Sequence, residues 1–382
     1  MRYTKDSEYL QDFVDKNFRD VYVQPIEQRY ILEIYTLMNQ ANEAFDIAQI
    51  EKNTKFTSDV GYVPVELAPH IRKCVYIRSV KFKLRNRNVK LTLHSIIPLK
   101  SIHNYVKRIF MWLHVASNYA CETCSRELNI NIYLTNQMKV LPPIDSVIGR
   151  LNVNSAYTSS CAQSNDICIF REQEWFKVFI HETFHCLGLD FSGMKHTNAD
   201  TLIGNIFKIN SDTCLYEAYS EVWAEILHSM FLTFFSTRMK ENYAIMTGKL
   251  NHIMEIETRF SLFQCVKVLN QNNMKYTDLF IEINRESYSE DAHVLSYYII
   301  KALLLYNKNT FIQWCSVNNN VLLDFRKTKH NVDNFCHLVR ELCMHIDLLN
   351  SIRRMEPWFI YNKLSNTLAR KTLRMTVFEL EN

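Results

Sequence analysis

The chain has 382 residues, of which 47% are hydrophobic and 13% aromatic, enough apolar side chain to bury a large core. This composition excludes a mostly disordered protein. The 44 basic and 40 acidic residues leave a net charge of +4, which is too small for a strong electrostatic field, so we expect neither nucleic acid nor a membrane as a partner.

The front half of the chain combines the periodicities of helices and strands. In chain order, the apolar pattern predicts a helical segment at 7–52, a hairpin at 80–93 around the polar turn 85–88, a helix at 102–113, and strands at 130–134, 152–158 and 166–171.

Beyond residue 197 the apolar pattern is almost entirely helical. The strongest predicted helices are 215–235, 238–270, 291–306 and 334–349. We therefore predict an α+β fold, with a mixed twisted sheet in the N-terminal part and a mainly helical C-terminal part. The expected divisions are an N-terminal helical segment at 1–70, a sheet sub-domain at 71–190 and a helical sub-domain at 191–382.

The 11 cysteines are scattered and lack the spacing of a secreted disulfide framework. The first residues contain no apolar core of a signal peptide, and the longest apolar stretch, 294–306, is interrupted by Lys301. We therefore expect reduced thiols and a cytoplasmic protein. Cys121 and Cys124 form a lone C-x-x-C pair, which without a second pair predicts neither a metal site nor a redox site.

The most informative motif is His181-Glu182-Thr183-Phe184-His185, which fits the zinc-hydrolase pattern H-E-x-x-H. Histidines four residues apart share one helix face, so both imidazoles can reach one ion. Glu182 can then take a proton from a metal-activated water. Gly188 follows at the position where a helix would end. The motif predicts one catalytic Zn²⁺ at the end of this helix.

A catalytic zinc needs a third protein ligand. The candidates are Asp190, His196, Asp200, Glu217, Glu221 and His228. Glu217 and Glu221 are one helical turn apart in a largely apolar segment, where buried carboxylates need partners. One of the two can bind the metal while the other accepts a hydrogen bond from a ligand histidine.

These motifs resemble those of the gluzincins, the thermolysin-like zinc metallopeptidases, which have a zincin-like fold. The resemblance implies that His181, His185 and Glu217 bind zinc and that Glu182 is the general base. It also implies that Glu221 supports a ligand histidine. Asp190 is expected to support a histidine too, and remains the second choice as ligand. The metzincin pattern fits less well, because position 191 is Phe.

The gluzincin resemblance extends to His293-Val-Leu-Ser296 followed by Lys301-Ala302, which implies that His293 stabilises the oxyanion of the reaction. Ser287-Tyr-Ser-Glu290 has the pattern of a capping box, which predicts His293 in the first turn of a helix. Tyr297 or Tyr298 is the alternative oxyanion donor.

Asn154, Ser155 and Ala156 resemble the edge strand with which such enzymes bind the substrate backbone. An ordinary strand end is the alternative interpretation. An exposed edge offers unpaired N–H and C=O groups to an extended peptide.

Together these patterns predict zinc-dependent hydrolysis of a peptide or protein substrate, with internal cleavage favoured over removal of N-terminal residues. The alternatives are an aminopeptidase and a non-catalytic structural or interaction protein on a zincin scaffold. Residues 169–191 also resemble uncharacterised metallopeptidase-like proteins of large eukaryotic DNA viruses, which implies the host cytoplasm or the virion as location. The sequence does not predict an oligomeric state.

Overall fold

A computed structural model describes residues 2–53, 63–144, 146–195, 197–211, 213–240, 242–362 and 366–382. His196, one of the candidate ligands, lies outside the described residues. The fold is α+β with a mixed sheet, as predicted.

Eight strands are formed by the described residues. They are β1 (Glu51–Asn53), β2 (Tyr76–Leu84), β3 (Arg87–Ser95), β4 (Glu127–Leu134), β5 (Ile148–Gly149), β6 (Ala156–Tyr157), β7 (Ser164–Ile169) and β8 (Glu290–Asp291).

The α-helices of the described residues are α1 (Lys5–Phe18), α2 (Leu32–Asp46), α3 (Ala68–Ile71), α4 (His103–Ala116), α5 (Arg150–Val153), α6 (Trp175–Cys186), α7 (Thr197–Ile206), α8 (Leu215–Ser236), α9 (Tyr243–Gln271), α10 (Lys301–Tyr306), α11 (Lys308–Asn318), α12 (Lys329–Leu342), α13 (Ile346–Tyr361) and α14 (Leu368–Lys371). Short 3₁₀ turns lie at Gln28–Tyr30, Tyr276–Phe280 and Glu282–Ser287, and a π-helical turn at Leu295–Ile300 leads into α10.

The main sheet has the strand order β1-β2-β3-β4-β7-β6. The pairs β3–β4 and β4–β7 are parallel, whereas β1–β2, β2–β3 and β6–β7 are antiparallel. The predicted hairpin is β2–β3, and its loop is only Arg85–Asn86 because Leu84 pairs with Arg87. One face of the sheet packs against α4 and α6 through aliphatic residues such as Leu91, Ile130 and Ile167.

The strand predicted at 152–158 is wrong over its first half. Residues 150–153 form a single turn of helix, and only Ala156 and Tyr157 pair with β7. The turn is held by tertiary hydrogen bonds, since the buried Arg171 guanidinium donates to the carbonyls of Leu151 and Asn154. Such contacts override local periodicity.

Two of the long predicted helices are interrupted. The segment 7–52 contains α1 and α2 with an irregular connection between them, and the segment 334–349 is broken at His345, whose backbone is extended. The periodicity of apolar residues continues across both breaks because the helices on either side bury faces against the same core.

The prediction that all thiols are reduced is wrong for Cys124, which is paired in a disulfide with Cys161. The other nine cysteines are free, and Cys121, the other cysteine of the C-x-x-C pair, is exposed. Spacing along the chain could not reveal this pair, because its two cysteines are 37 residues apart.

No helix in the described part of the chain is long and apolar enough to cross a membrane. Among the described residues, the larger of two core clusters contains residues from each of the three predicted divisions, among them Leu10, Ile130 and Phe260.

Candidate metal centre

The motif helix α6 is buried along its whole length. It ends in a Schellman motif, because Leu189 N donates to Phe184 O at 2.8 Å and Gly188 N donates to His185 O at 3.0 Å. Gly188 has φ of +67° and lies against the Cys124–Cys161 disulfide, where a Cβ would come within 3.1 Å of Cys161 Cβ. The predicted helix end at Gly188 is therefore confirmed, and glycine is required there for both conformation and space.

Helix α8 packs against α6 and brings Glu217 to the two histidines. His181 Nε2 lies 3.1 Å from His185 Nε2 and 3.0 Å from Glu217 Oε2. His185 Nε2 lies 3.5 Å from the same carboxylate oxygen. The three ligand atoms are within 4.8 Å of one another, and all three residues are buried. This group could hold a metal ion.

A carboxylate lies behind each histidine. His185 Nδ1 lies 2.5 Å from Asp190 Oδ2, which also accepts a hydrogen bond from Ser220 Oγ. His181 Nδ1 lies 3.0 Å from Glu221 Oε2, although the two are not aligned for a hydrogen bond. With both Nδ1 atoms directed to carboxylates, both Nε2 atoms converge on Glu217, which is the arrangement that metal-binding histidines adopt.

The predicted roles of Glu221 and Asp190 behind the histidines thus agree with their positions. Glu221 is itself held by an ion pair with the buried Lys177 Nζ. Sequence reasoning missed Lys177, although it precedes His181 by four residues and shares its helix face.

The charges of the centre are strongly coupled. Burial lowers the pKa of His181 to about 4. Burial opposes a charge on His185 as well, but Asp190 and Glu217 outweigh it and raise the pKa of His185 well above its usual value. Glu217 is held ionised against its burial, because the two histidines keep its pKa well below the usual range.

Glu182 faces the cavity beside these three residues and is 8% exposed. Burial, opposed by His185 and reinforced by Glu217, raises the pKa of Glu182 to about 7. A carboxyl group with a pKa near neutrality is suited to accept and return a proton.

The cavity in front of the centre has a volume of about 1150 Å³. The predicted substrate-binding residues Asn154, Ser155 and Ala156 all line it, next to His181 and Glu182. Ser155 is buried, and its hydroxyl has no hydrogen-bond partner among the described residues.

Of the three predicted oxyanion donors, two lie at the cavity. His293 and Tyr297 line it, the Tyr297 ring is centred 6.0 Å from the ring of His181, and its hydroxyl donates to Glu217. Tyr298 does not line the cavity, contrary to its predicted role. Its hydroxyl donates to the Leu373 carbonyl at 2.6 Å in the buried interior. Neighbouring residues on a helix point in different directions, so only one of the two tyrosines could face the site.

His293 is not in the first turn of a helix as predicted. Its φ is +54°, and it precedes the π-helical turn that begins at Leu295. The predicted capping box does not form at Ser287. Instead, Glu290 accepts a hydrogen bond from the Leu295 backbone N–H at 2.7 Å. His293 Nε2 lies 3.7 Å from Cys214 Sγ, and no motif in the sequence predicted this contact.

The remaining ligand candidates are elsewhere. His228 lies in α8 with its ring against Phe176, and burial lowers its pKa to about 3. Asp200 accepts a hydrogen bond from Thr213 Oγ1 at 3.1 Å and is not part of the candidate metal-binding group.

No family model matches the chain, and neither the curated proteins nor the solved structures include a significant match. The chemical assignment of the cavity therefore depends on its own residues.

Proposed function

We propose that the protein is a zinc-dependent peptide hydrolase with a zincin-like, gluzincin-type active site. The observation that carries the proposal is the convergence of His181, His185 and Glu217 at the base of a cavity that also contains Glu182. Nitrogen and carboxylate ligands in a set of three are typical of catalytic zinc, whereas structural zinc sites have four protein ligands.

The residues present fit such an ion. Both Nδ1 atoms face carboxylates, both Nε2 atoms and Glu217 Oε2 face one another, and the group is enclosed by protein. When bound, zinc would lower the pKa of water and polarise the carbonyl group of the substrate.

The chain's own residues supply the remaining steps. Glu182 removes a proton from the attacking water and passes it to the leaving amine. His293 and Tyr297, which line the same cavity, donate hydrogen bonds to the oxyanion, and for this the Tyr297 hydroxyl turns away from Glu217. The edge strand β6 and residues 154–155 before it align the substrate backbone through main-chain hydrogen bonds.

Metal analysis and one conservative substitution test this function. Purified protein should contain one zinc per chain, and His185→Ala and Glu217→Ala should lose it, while the exposed His252→Ala retains it. Glu182→Gln should keep the metal but slow peptide hydrolysis by about 10²- to 10⁴-fold, since the amide preserves shape and removes basicity. Full zinc in both ligand variants, or wild-type turnover in Glu182→Gln, would contradict the assignment.

A further inference from the structure

The two walls of the cavity are joined to each other at one end. Strand β5, which comes just before the edge-strand segment, pairs in parallel with β8, which comes just before His293. Ile148 is the partner of Glu290, and Gly149 is the partner of Asp291. Hydrogen-bonded strands are about 4.8 Å apart, so a polypeptide cannot pass between them. An extended substrate in this cavity must end, or turn away, at the β5–β8 pair.

Two exposed charged side chains line the cavity at this closed end, Arg150 and Asp291. Neither side chain makes a hydrogen bond or ion pair with another described residue. The Asp291 carboxylate lies against the backbone of β5, where a Cβ on Gly149 would be 3.7 Å from Oδ2.

The other charged groups nearby are already satisfied. Glu290 accepts hydrogen bonds from Ser211 Oγ, Tyr288 Oη and the Leu295 backbone. Lys139 forms a buried ion pair with Glu174 at 3.0 Å. Arg150 is therefore the available cation at the closed end in the described part of the chain.

The direction of the edge strand decides which end of a substrate reaches Arg150. Strand β6 lies at the edge of the main sheet, and it is antiparallel to its neighbour β7. Antiparallel pairing is the more stable arrangement per residue, so a peptide adding to the free edge is expected to run antiparallel to β6. Its carboxyl end then points towards Asn154 and, beyond it, the turn that begins at Arg150.

We propose that Arg150 binds the terminal carboxylate of a peptide substrate, so that the protein removes a short fragment from peptide C-termini. The guanidinium group matches a carboxylate with two parallel hydrogen bonds, which suits recognition of a chain end. This inference rests on the proposed function, and it replaces the expected internal cleavage by cleavage close to the carboxyl end.

Matched peptides test the inference without any mutation of the protein. One peptide has a free C-terminus, a second has a C-terminal amide, and a third has a free C-terminus and an acetylated N-terminus. The zinc-loaded full chain should cleave the first and third equally, and should cleave the amide with a kcat/KM about 10- to 100-fold lower, as expected for the loss of a charge-assisted hydrogen bond. Mass spectrometry of the products should find cuts only near the carboxyl end.

Substitution of Arg150 assigns the effect to that residue. Arg150→Gln should lower kcat/KM for the free acid to that for the amide and leave the amide unchanged, whereas Arg150→Lys should retain part of the preference. Arg353→Gln, an exposed arginine of α13 that does not line the cavity, is the matched control and should behave as wild type.

A binding measurement separates this inference from the proposed function. The Glu182→Gln variant should bind the free acid more tightly than the amide by the same factor, measured by fluorescence anisotropy. Hydrolysis without any preference for the free acid, cuts throughout the peptide, or a loss caused by N-acetylation would overturn the inference while leaving hydrolysis intact. If no peptide is cleaved but the acid is preferred in binding, the proposed function fails and the carboxylate site stands.

Discussion

Asp190 and Glu221 have different surroundings, although each lies behind one histidine. Asp190 receives hydrogen bonds from Ser192 and Ser220 in addition to its contact with His185. Glu221 is paired with the cation of Lys177. The negative charge of Asp190 is therefore less compensated than that of Glu221, and it acts more strongly on the neighbouring imidazole. We expect Asp190 to have the larger influence on metal affinity.

We predict that Asp190→Ala weakens zinc binding by about 10- to 100-fold, the range typical for partners of metal-binding histidines. Asp190→Asn should have a smaller effect, because an amide oxygen can still accept a hydrogen bond from Nδ1. Competition with a chelator of known affinity measures both. The exposed Asp12→Asn is the control, and unchanged affinity in Asp190→Ala would contradict this role.

Metal binding should also release a proton. In the metal-free protein the pKa of His185 is raised well above its usual value, so the imidazole carries a proton at pH 7, whereas a metal ligand must be neutral. Zinc binding near pH 7 should therefore expel about one proton, and apparent affinity should fall as the pH falls. Calorimetry in buffers of different ionisation enthalpy counts the protons. Asp190→Asn should reduce the count, and a pH-independent affinity would exclude this linkage.

At the scale of single elements, the start of α6 is fixed by the C-terminal segment of the chain. Glu174, just before the helix, has a left-handed backbone with φ of +61°, and its buried carboxylate accepts hydrogen bonds from the N–H groups of Met375 and Thr376. The same carboxylate is paired with Lys139. Burial would raise its pKa, but Lys139, Lys177 and Arg374 outweigh this and lower the pKa to about 2. Glu174 thus joins the start of α6 to a segment that lies 201 and 202 positions further along the chain.

We predict that Glu174→Gln destabilises the fold by about 3–5 kcal/mol, because it leaves the buried Lys139 without the carboxylate that it is paired with. Because the folded-state pKa is depressed, the stabilisation by Glu174 is complete above the unfolded value near 4.5 and is lost as the pH falls towards 2. The difference between wild type and variant should therefore shrink below pH 4. Denaturant titrations at several pH values measure this, with the exposed Glu341→Gln as control. A constant difference down to pH 2 would contradict the argument.

At the scale of the whole molecule, the Cys124–Cys161 disulfide connects the loop before β4 with the loop before β7 and packs against Gly188. It therefore links the central sheet to the end of α6. The disulfide joins cysteines that are 37 residues apart, and a loop of this length should considerably reduce the conformational entropy of the unfolded state.

We predict that the double variant Cys124→Ser, Cys161→Ser unfolds with a free energy about 2–4 kcal/mol lower than wild type. Reductant should lower the stability of wild type to that of the variant and leave the variant unchanged. Cys121→Ser, which alters an exposed free thiol, should behave as wild type. Denaturant midpoints that are equal with and without reductant would show that the disulfide contributes nothing.

The sequence by itself determined the α+β class, the positions of the hairpin β2–β3 and of α6 and α8, and the residues of the candidate metal-binding group. These features are local or nearly so. Apolar periodicity fixes which face of an element is buried, and the spacing of His181 and His185 places both on one helix face. Burial drew attention to Glu217 and Glu221, because carboxylates in a buried helix need partners, and the resemblance to the gluzincins implied Glu217 as the third ligand.

Only the tertiary structure decided what surrounds the site. Tyr297 rather than Tyr298 reaches the cavity because the C-terminal segment, 75 residues further on, accepts the hydrogen bond of Tyr298 through Leu373. The helical turn at 150–153, the pairing of Cys124 with Cys161, and the junction of β5 with β8 each depend on contacts between residues far apart in the chain. No local sequence pattern encodes such contacts. Each is stabilised by a partner residue that is distant in the sequence and comes close only when the chain folds.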